Sequence, residues 1–211
     1  MYLTALSGCN SVPHVMHFDI FPLNKEKTSP ATALFPPVRA NGDNRDMTML
    51  PADVTLTEVL PGSPEGRAVL RDFFRDLVSR THGREATDGE VDAEMRRDPS
   101  DDLCPPGGLL LVARRGTAVI GCVGLRVLPG ALGEVTRVFV QPTARGAGVG
   151  GLLMRAVEDV ARDRGLARVR LDTRSDLTEA RRLYARNGYQ PAAPFNSGWA
   201  DLWFEKSLGR G

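Results

Sequence analysis

Gln141 to Arg164 reads QPTARGAGVGGLLMRAVEDVARDR, and its pattern predicts the end of a strand, a glycine-rich turn and a long amphipathic helix. Gly146, Gly148 and Gly150 fall within five residues, so the turn lacks the Cβ atoms that would hold a phosphate away from the backbone. Val149, Leu152, Leu153, Ala156, Val157 and Val160 follow at i, i+3, i+4, i+7, i+8 and i+11. That spacing draws one apolar stripe along a helix and predicts that it packs on a sheet. The first helical turn would then present unpaired N–H donors and the positive end of the helix dipole to the glycine turn, as a cradle for a pyrophosphate.

Two kinds of phosphate loop fit the letters. Gly146, Gly148 and Gly151 satisfy G-x-G-x-x-G, with Asp172 near the distance of a ribose-binding acid. A dinucleotide fold, however, turns almost directly from its strand into the first glycine, whereas Pro142, Thr143, Ala144 and Arg145 intervene here. Too little chain also remains after Asp172 to build the second half of a doubly wound sheet. The other match is Arg145-Gly146-Ala147-Gly148-Val149-Gly150, flanked by Glu134-Val-Thr-Arg-Val-Phe-Val-Gln-Pro142 upstream and by Leu183-Tyr-Ala-Arg-Asn-Gly-Tyr189 downstream. Together these resemble the acyl-CoA pyrophosphate loop and its neighbours in the GCN5-related N-acetyltransferase (GNAT) superfamily.

Composition narrows the class. The chain has 211 residues, a formal net charge of +1 and 25% charged residues. That length suits one domain with a tail, and nothing in the charge points to nucleic acid or an anionic membrane. Cys9, Cys104 and Cys122 are far apart and lack metal-ligand spacing, so no metal site, no disulfide framework and a reducing cytoplasm are expected. No apolar run reaches the length of a membrane span, and the N-terminus lacks a signal-peptide pattern.

Residues 1–46 carry Pro13, Pro22, Pro30, Pro36 and Pro37 with no sustained period, and are expected to be an N-terminal extension, flexible or loosely docked. The catalytic domain is expected over 47–211. Val54 to Leu60 alternates as a strand. Ser63-Pro64 starts a helix bearing Val69, Leu70, Phe73, Phe74, Leu77 and Val78, and Thr87 with Glu90 caps a second one through Arg97. Between them, Ser79 to Ala86 is read as a connector holding His82 and Arg84. Leu109 to Ala113 and Ala118 to Leu128 form a hairpin. In the next strand, Glu134 to Gln141, strict alternation would place Glu134, Thr136, Val138 and Val140 on one face and Val135, Arg137 and Phe139 on the other. Ala167 to Asp172 is a further strand, Asp176 with Glu179 signals a cap for a helix over Leu177 to Asn187, and two strands close the chain. The order predicts a mixed α/β fold.

The resemblance covers about Val54 to Leu208 and implies more than the pattern does. It implies a mostly antiparallel central sheet, flanked by helices, whose splayed central strands admit the pantetheine arm of acetyl-CoA. Val138, Phe139 and Val140 would meet that arm, with the Val138 N–H polarising the thioester carbonyl. Arg145, Gly146, Ala147, Gly148, Val149 and Gly150 would hold the pyrophosphate. Tyr184 would protonate the departing thiolate, and Glu134, its acidity weakened by partial burial, would take a proton from the amine. Many relatives carry an asparagine where this chain has Leu177, so its contact would pass to Thr173 or Thr178.

The acceptor has no signature. Arg84, Arg137 and Arg174 could receive a carboxylate, and Phe195, Trp199 and Trp203 could form an apolar wall. The expected activity is transfer of an acetyl group from acetyl-CoA to a primary amine, of a small molecule rather than a protein lysine or N-terminus, by direct attack with no covalent enzyme intermediate. A protein lysine or N-terminal acetyltransferase, a non-catalytic acyl-CoA-binding sensor and a homodimer stay open at this point.

Overall fold

The alternating and helical patterns fold into a seven-stranded sheet with helices on both faces. The computed structural model describes residues 53–198 and 200–209, so the extension expected over 1–46 lies outside the described residues, as does Trp199. In chain order the elements are β1 (Val54–Val59), α1 (Pro64–His82), α2 (Asp88–Arg97), β2 (Gly108–Arg115), β3 (Ala118–Leu128), β4 (Leu132–Val140), a 3-10 turn (Pro142–Ala144), α3 (Val149–Asp163), β5 (Arg168–Thr173), α4 (Thr178–Arg186), β6 (Gln190–Pro191) and β7 (Leu202–Ser207). The sheet runs β1-β2-β3-β4-β5-β7-β6. Neighbours are antiparallel except β4 and β5, which are parallel.

α1 starts where the Ser63 side chain accepts from the Gly66 N–H at 3.0 Å, with Pro64 in the first turn. It runs to His82, so Ser79 to His82 are helical rather than part of the expected connector; Gly83 ends it in the left-handed region at φ 65°. α2 opens with the Thr87/Glu90 capping box. α4 corrects another expectation. Leu177 is its N-cap residue and no side chain caps it, because both Asp176 carboxylate oxygens accept from Arg174, at 2.9 and 2.7 Å.

The sheet divides two cores. Leu109, Leu111, Val123, Leu125, Val135, Val169 and Leu171 face α3, against Val149, Leu153, Met154 and Val157. Leu110, Val112, Cys122 and Phe139 face α1, against Val69 and Leu70. The apolar run in β2 is continuous because both of its faces are covered. Each fully buried Leu or Val of this kind contributes about 1.5–3 kcal/mol relative to exposure.

The feature that positions a site is the failure of β4 and β5 to stay together. They pair only at Leu132–Arg168, Gly133–Val169 and Glu134–Arg170, although β4 continues to Val140 and β5 to Thr173. β4 instead follows β3 through a bulge, where the register slips between Cys122 and Gly124. Arg137 sits in that bulge at φ 52°. The extra residue breaks the expected alternation: Thr136 and Arg137 both face α1 and α2, with the Arg137 Nη1 3.3 Å from the Thr136 hydroxyl, while Val138 and Val140 join Val135 on the α3 side.

Cys122 is a free, buried thiol, pushed up to about 12 by desolvation. Cys104 is disulfide-bonded, a link that the cysteine spacing did not lead us to expect. Among the described residues no helix is long and apolar enough to cross a membrane.

Candidate active site

The glycine turn has the form of a cradle. Gly146 and Gly148 both take φ 79°, a region that a Cβ makes costly. Gly148 is the N-cap residue of α3, and no side chain caps that helix. Its first internal bond runs from the Leu152 N–H to the Gly148 carbonyl at 3.1 Å. The N–H groups of Val149, Gly150 and Gly151 therefore have no carbonyl within the helix to bond. Gly150 is also small for a packing reason: a Cβ there would come 3.2 Å from Leu183 of α4. The Arg145 side chain is turned to α1, donating to Asp76 at 2.9 Å and to the Val140 carbonyl at 3.0 Å. Donors in this arrangement suit a pyrophosphate lying across the helix start.

The gap between β4 and β5 leads inward from the cradle. Arg137 and Val138 have no register partner on β3, and β5 has none for them either. Val138 thus lies in the bulge with no register partner in either ladder, at the widening edge of the gap. Phe139 carries its ring to the other face, edge-on to Phe73 with centroids 6.5 Å apart, so only its main chain can serve the cofactor side. Thr173 is buried at the far end of β5, on the face that Val169 and Leu171 share with α3.

Tyr184 is buried on the same side, its ring 6.0 Å from that of Tyr189 and 6.1 Å from that of Phe204. Burial, reinforced by the negative charge of Asp172, raises its pKa above the ordinary phenol value. The hydroxyl therefore stays protonated and able to donate.

Across the sheet, Glu134 is held by two guanidiniums. Arg170 donates to it from Nε at 3.1 Å and from Nη2 at 2.9 Å, and Arg126 approaches from β3 at 3.4 Å. Arg126 is itself shared with Asp102 at 2.5 Å. The Glu134–Arg170 pair sits on the last rung that joins the two strands, where the gap begins.

Residues 71–189 match the Acetyltransferase (GNAT) family. The chain belongs to this family. An IAA acetyltransferase of Azospirillum brasilense is 39% identical over 50% of this chain and 72% of its own length. A mycothiol acetyltransferase of Cellulomonas flavigena is 31% identical over 68% of this chain but only 42% of its own length. Among solved structures, an acetyltransferase of the GNAT family from Staphylococcus aureus superposes with TM-score 0.61 at 15% identity, covering 74% of this chain and 99% of that one. An N-acetyltransferase from Thermoplasma acidophilum in complex with coenzyme A gives TM-score 0.59 at 17% identity, over 73% and 98%. Both share the fold. The protein is an acyl-CoA-dependent N-acetyltransferase.

The acceptor side of this acetyltransferase departs from the sequence reading. Arg137, expected as a carboxylate receptor, is buried at 5% exposure and committed. It donates to Ser100, to Asp98 and to the Asp98 and Pro99 carbonyls, and stacks over Phe73 and Phe74. Arg174 holds Asp176, and Arg84 holds Glu90 in an exposed pair. His82 does border a cleft of about 210 Å³, with Leu77, Val78, Ala93 and Arg174, where its Nδ1 lies 3.3 Å from Glu90. Phe195 and Trp203 stand near the gap: Phe195 covers Arg170 at 3.9 Å, and the Trp203 Nε1–H donates to Asn196 at 2.7 Å. The clamps from Arg126 and Arg170, and the partnership of Asn196 with Asp172, had no signal in the sequence. Each joins residues from separate strands or loops, and only the alternation of β5 placed Arg170 and Asp172 on one face.

Proposed function

We propose that this acetyltransferase moves an acetyl group from acetyl-CoA to the primary amine of a small molecule, by direct attack and without a covalent enzyme intermediate. The observation that carries this reading is the β4–β5 gap, open on one side to the α3 cradle and on the other to a wall of carboxylates. When bound, acetyl-CoA supplies an activated acyl carbon and a thiolate leaving group.

The chain's own groups have distinct tasks. The N–H groups from Gly146 to Gly151 hold negative charge, with the dipole of α3 behind them. The Val138 N–H, on a bulge residue with no register partner on β3 or β5, would donate to an oxygen on which charge develops. Thr173 borders the pantetheine path. Tyr184 holds its proton near the gap and can give it to sulfur. The absence of cysteine from these walls, among the described residues, agrees with direct attack, since Cys122 is buried on the α1 face with its thiol held protonated. Glu134 shapes the entrance on the acceptor side, where an amine must lose its proton before it can attack.

The relatives named as IAA and mycothiol acetyltransferases favour a small acceptor over a protein. The test is free-thiol release from acetyl-CoA across a panel of small amines, amino acids, aminoglycosides and lysine peptides, with acetyl-CoA binding followed by calorimetry. Release that depends on a small amine is the expected outcome. Binding with release only for peptides would redirect the acceptor to protein, and no binding would overturn the reading.

A further inference from the structure

We propose that Asp172, rather than Glu134, is the general base that deprotonates the acceptor amine; this rests on the acetyl-transfer reading above. Val169 and Leu171 belong to the core on the α3 side, so alternation turns Arg170 and Asp172 to the opposite face, with Glu134. Asp172 stands one pleat beyond the last β4–β5 rung at Glu134–Arg170, about 7 Å further along the strand. Its carboxylate therefore borders the gap where β4 has already left.

The two carboxylates differ in their partners. Glu134 has three guanidinium nitrogens within 3.4 Å, so a proton arriving there must displace charge-assisted bonds. Asp172 makes no ion pair among the described residues. Its carboxylate takes a hydrogen bond from Asn196, whose own oxygen is anchored by Trp203. The charged groups that act on it are Glu134 from β4 and Asp98 from the segment after α2, both negative. Arg170, its neighbour on β5, is occupied by Glu134, and Tyr184 lies close enough through the gap to feel the Asp172 charge. Burial and the two carboxylates together raise its pKa above the ordinary carboxylate value, which strengthens it as a base. A negative wall of this kind also attracts an ammonium.

The proton balance closes. Asp172 takes one proton from the ammonium, and the nitrogen lone pair forms the C–N bond as the C–S bond breaks. The sulfur takes the Tyr184 proton. The second proton on nitrogen returns to the Tyr184 oxygen through water, and the Asp172 proton leaves to solvent, so one proton is released per turnover.

The experiment compares Asp172→Asn and Glu134→Gln in the full chain, with acetyl-CoA affinity by calorimetry as a check on the folded site. Asp172→Asn should lower kcat/KM for the amine about 10²–10³-fold, with acetyl-CoA affinity within about twofold of the parent. The loss should be greatest at low pH and shrink as pH approaches the amine's own pKa. Glu134→Gln should keep the ionisation in the profile but move it to lower pH, because one of the two charges that raise the Asp172 pKa is gone. An Asp172→Asn profile matching the parent, or loss of the ionisation in Glu134→Gln instead, overturns the proposal. Carboxyl carbon-13 titration of the parent, assigned with Asp172→Asn, needs no acceptor: Asp172 titrating in the ordinary carboxylate range would also overturn it. Failure of acetyl transfer itself is seen separately, as absence of acetyl-CoA binding by the parent.

Discussion

On the α3 side of the gap, the groups the fold leaves without helix partners are the main-chain N–H donors of Val149 to Gly151, whereas the α1 and α2 side is built of side chains gathered from β3, β4, β5 and two connecting segments. Asp98, Arg126, Glu134, Arg170, Asp172 and Asn196 form that second wall through pairs that cross between strands and loops. One wall depends on where the backbone goes, the other on which side chains meet. Substitution should expose the difference. The first wall tolerates changes of side chain but not the addition of a Cβ, and the second does the reverse.

The sharpest break comes at Gly148. Its φ of 79° is costly for any β-branched residue, and the distorted turn would withdraw the donors on either side. Gly148→Val should weaken acetyl-CoA binding about 100-fold, equivalent to about 2.7 kcal/mol, when followed by calorimetry. Parent-like affinity would mean that the pyrophosphate is held by side chains instead. Tyr184→Phe should come next. Losing the proton donor while keeping the ring should lower kcat about 10–100-fold at unchanged acetyl-CoA affinity, and unchanged turnover would remove the acid role.

These walls were not equally legible. The glycine turn and the helix behind it could be read because glycine spacing and a 3.6-residue period are local properties of the chain, whereas Tyr184 was picked out only by the family resemblance. The splay was legible only through the family resemblance, since nothing in the letters of β4 or β5 says where two parallel strands stop pairing. Arg137 was misread for the same reason. A bulge is a relation between two strands, and strict alternation along β4 cannot reveal that Arg137 and Thr136 turn to one face. Its commitment to Asp98, Ser100 and Pro99 makes it a brace for the side-chain wall. Arg137→Met should therefore cost about 2 kcal/mol of stability in urea unfolding, while leaving the cradle's affinity for acetyl-CoA intact. A loss of affinity as large as the loss of stability would show that the two walls are not separable.

The smallest effect tests what the acceptor wall costs the fold. Asp172 is half-buried and faces two other carboxylates, so its folded-state pKa is raised. The folded protein then binds that proton more tightly than the unfolded chain does. Its penalty is absent at low pH, begins as pH rises through the unfolded carboxylate range near about 4, and is complete once pH passes the raised value. The amide introduced by Asp172→Asn carries no charge and can still accept from Asn196. Asp172→Asn should therefore melt about 1–3 °C higher than the parent at neutral pH, with the difference closing below the carboxylate range. A thermal-unfolding series against pH would show it. Gain of stability with loss of turnover would mark Asp172 as a group kept for chemistry. An equal loss of both would make it a structural partner of Asn196, and the side-chain wall would then be held together by the very residue assigned to its reaction.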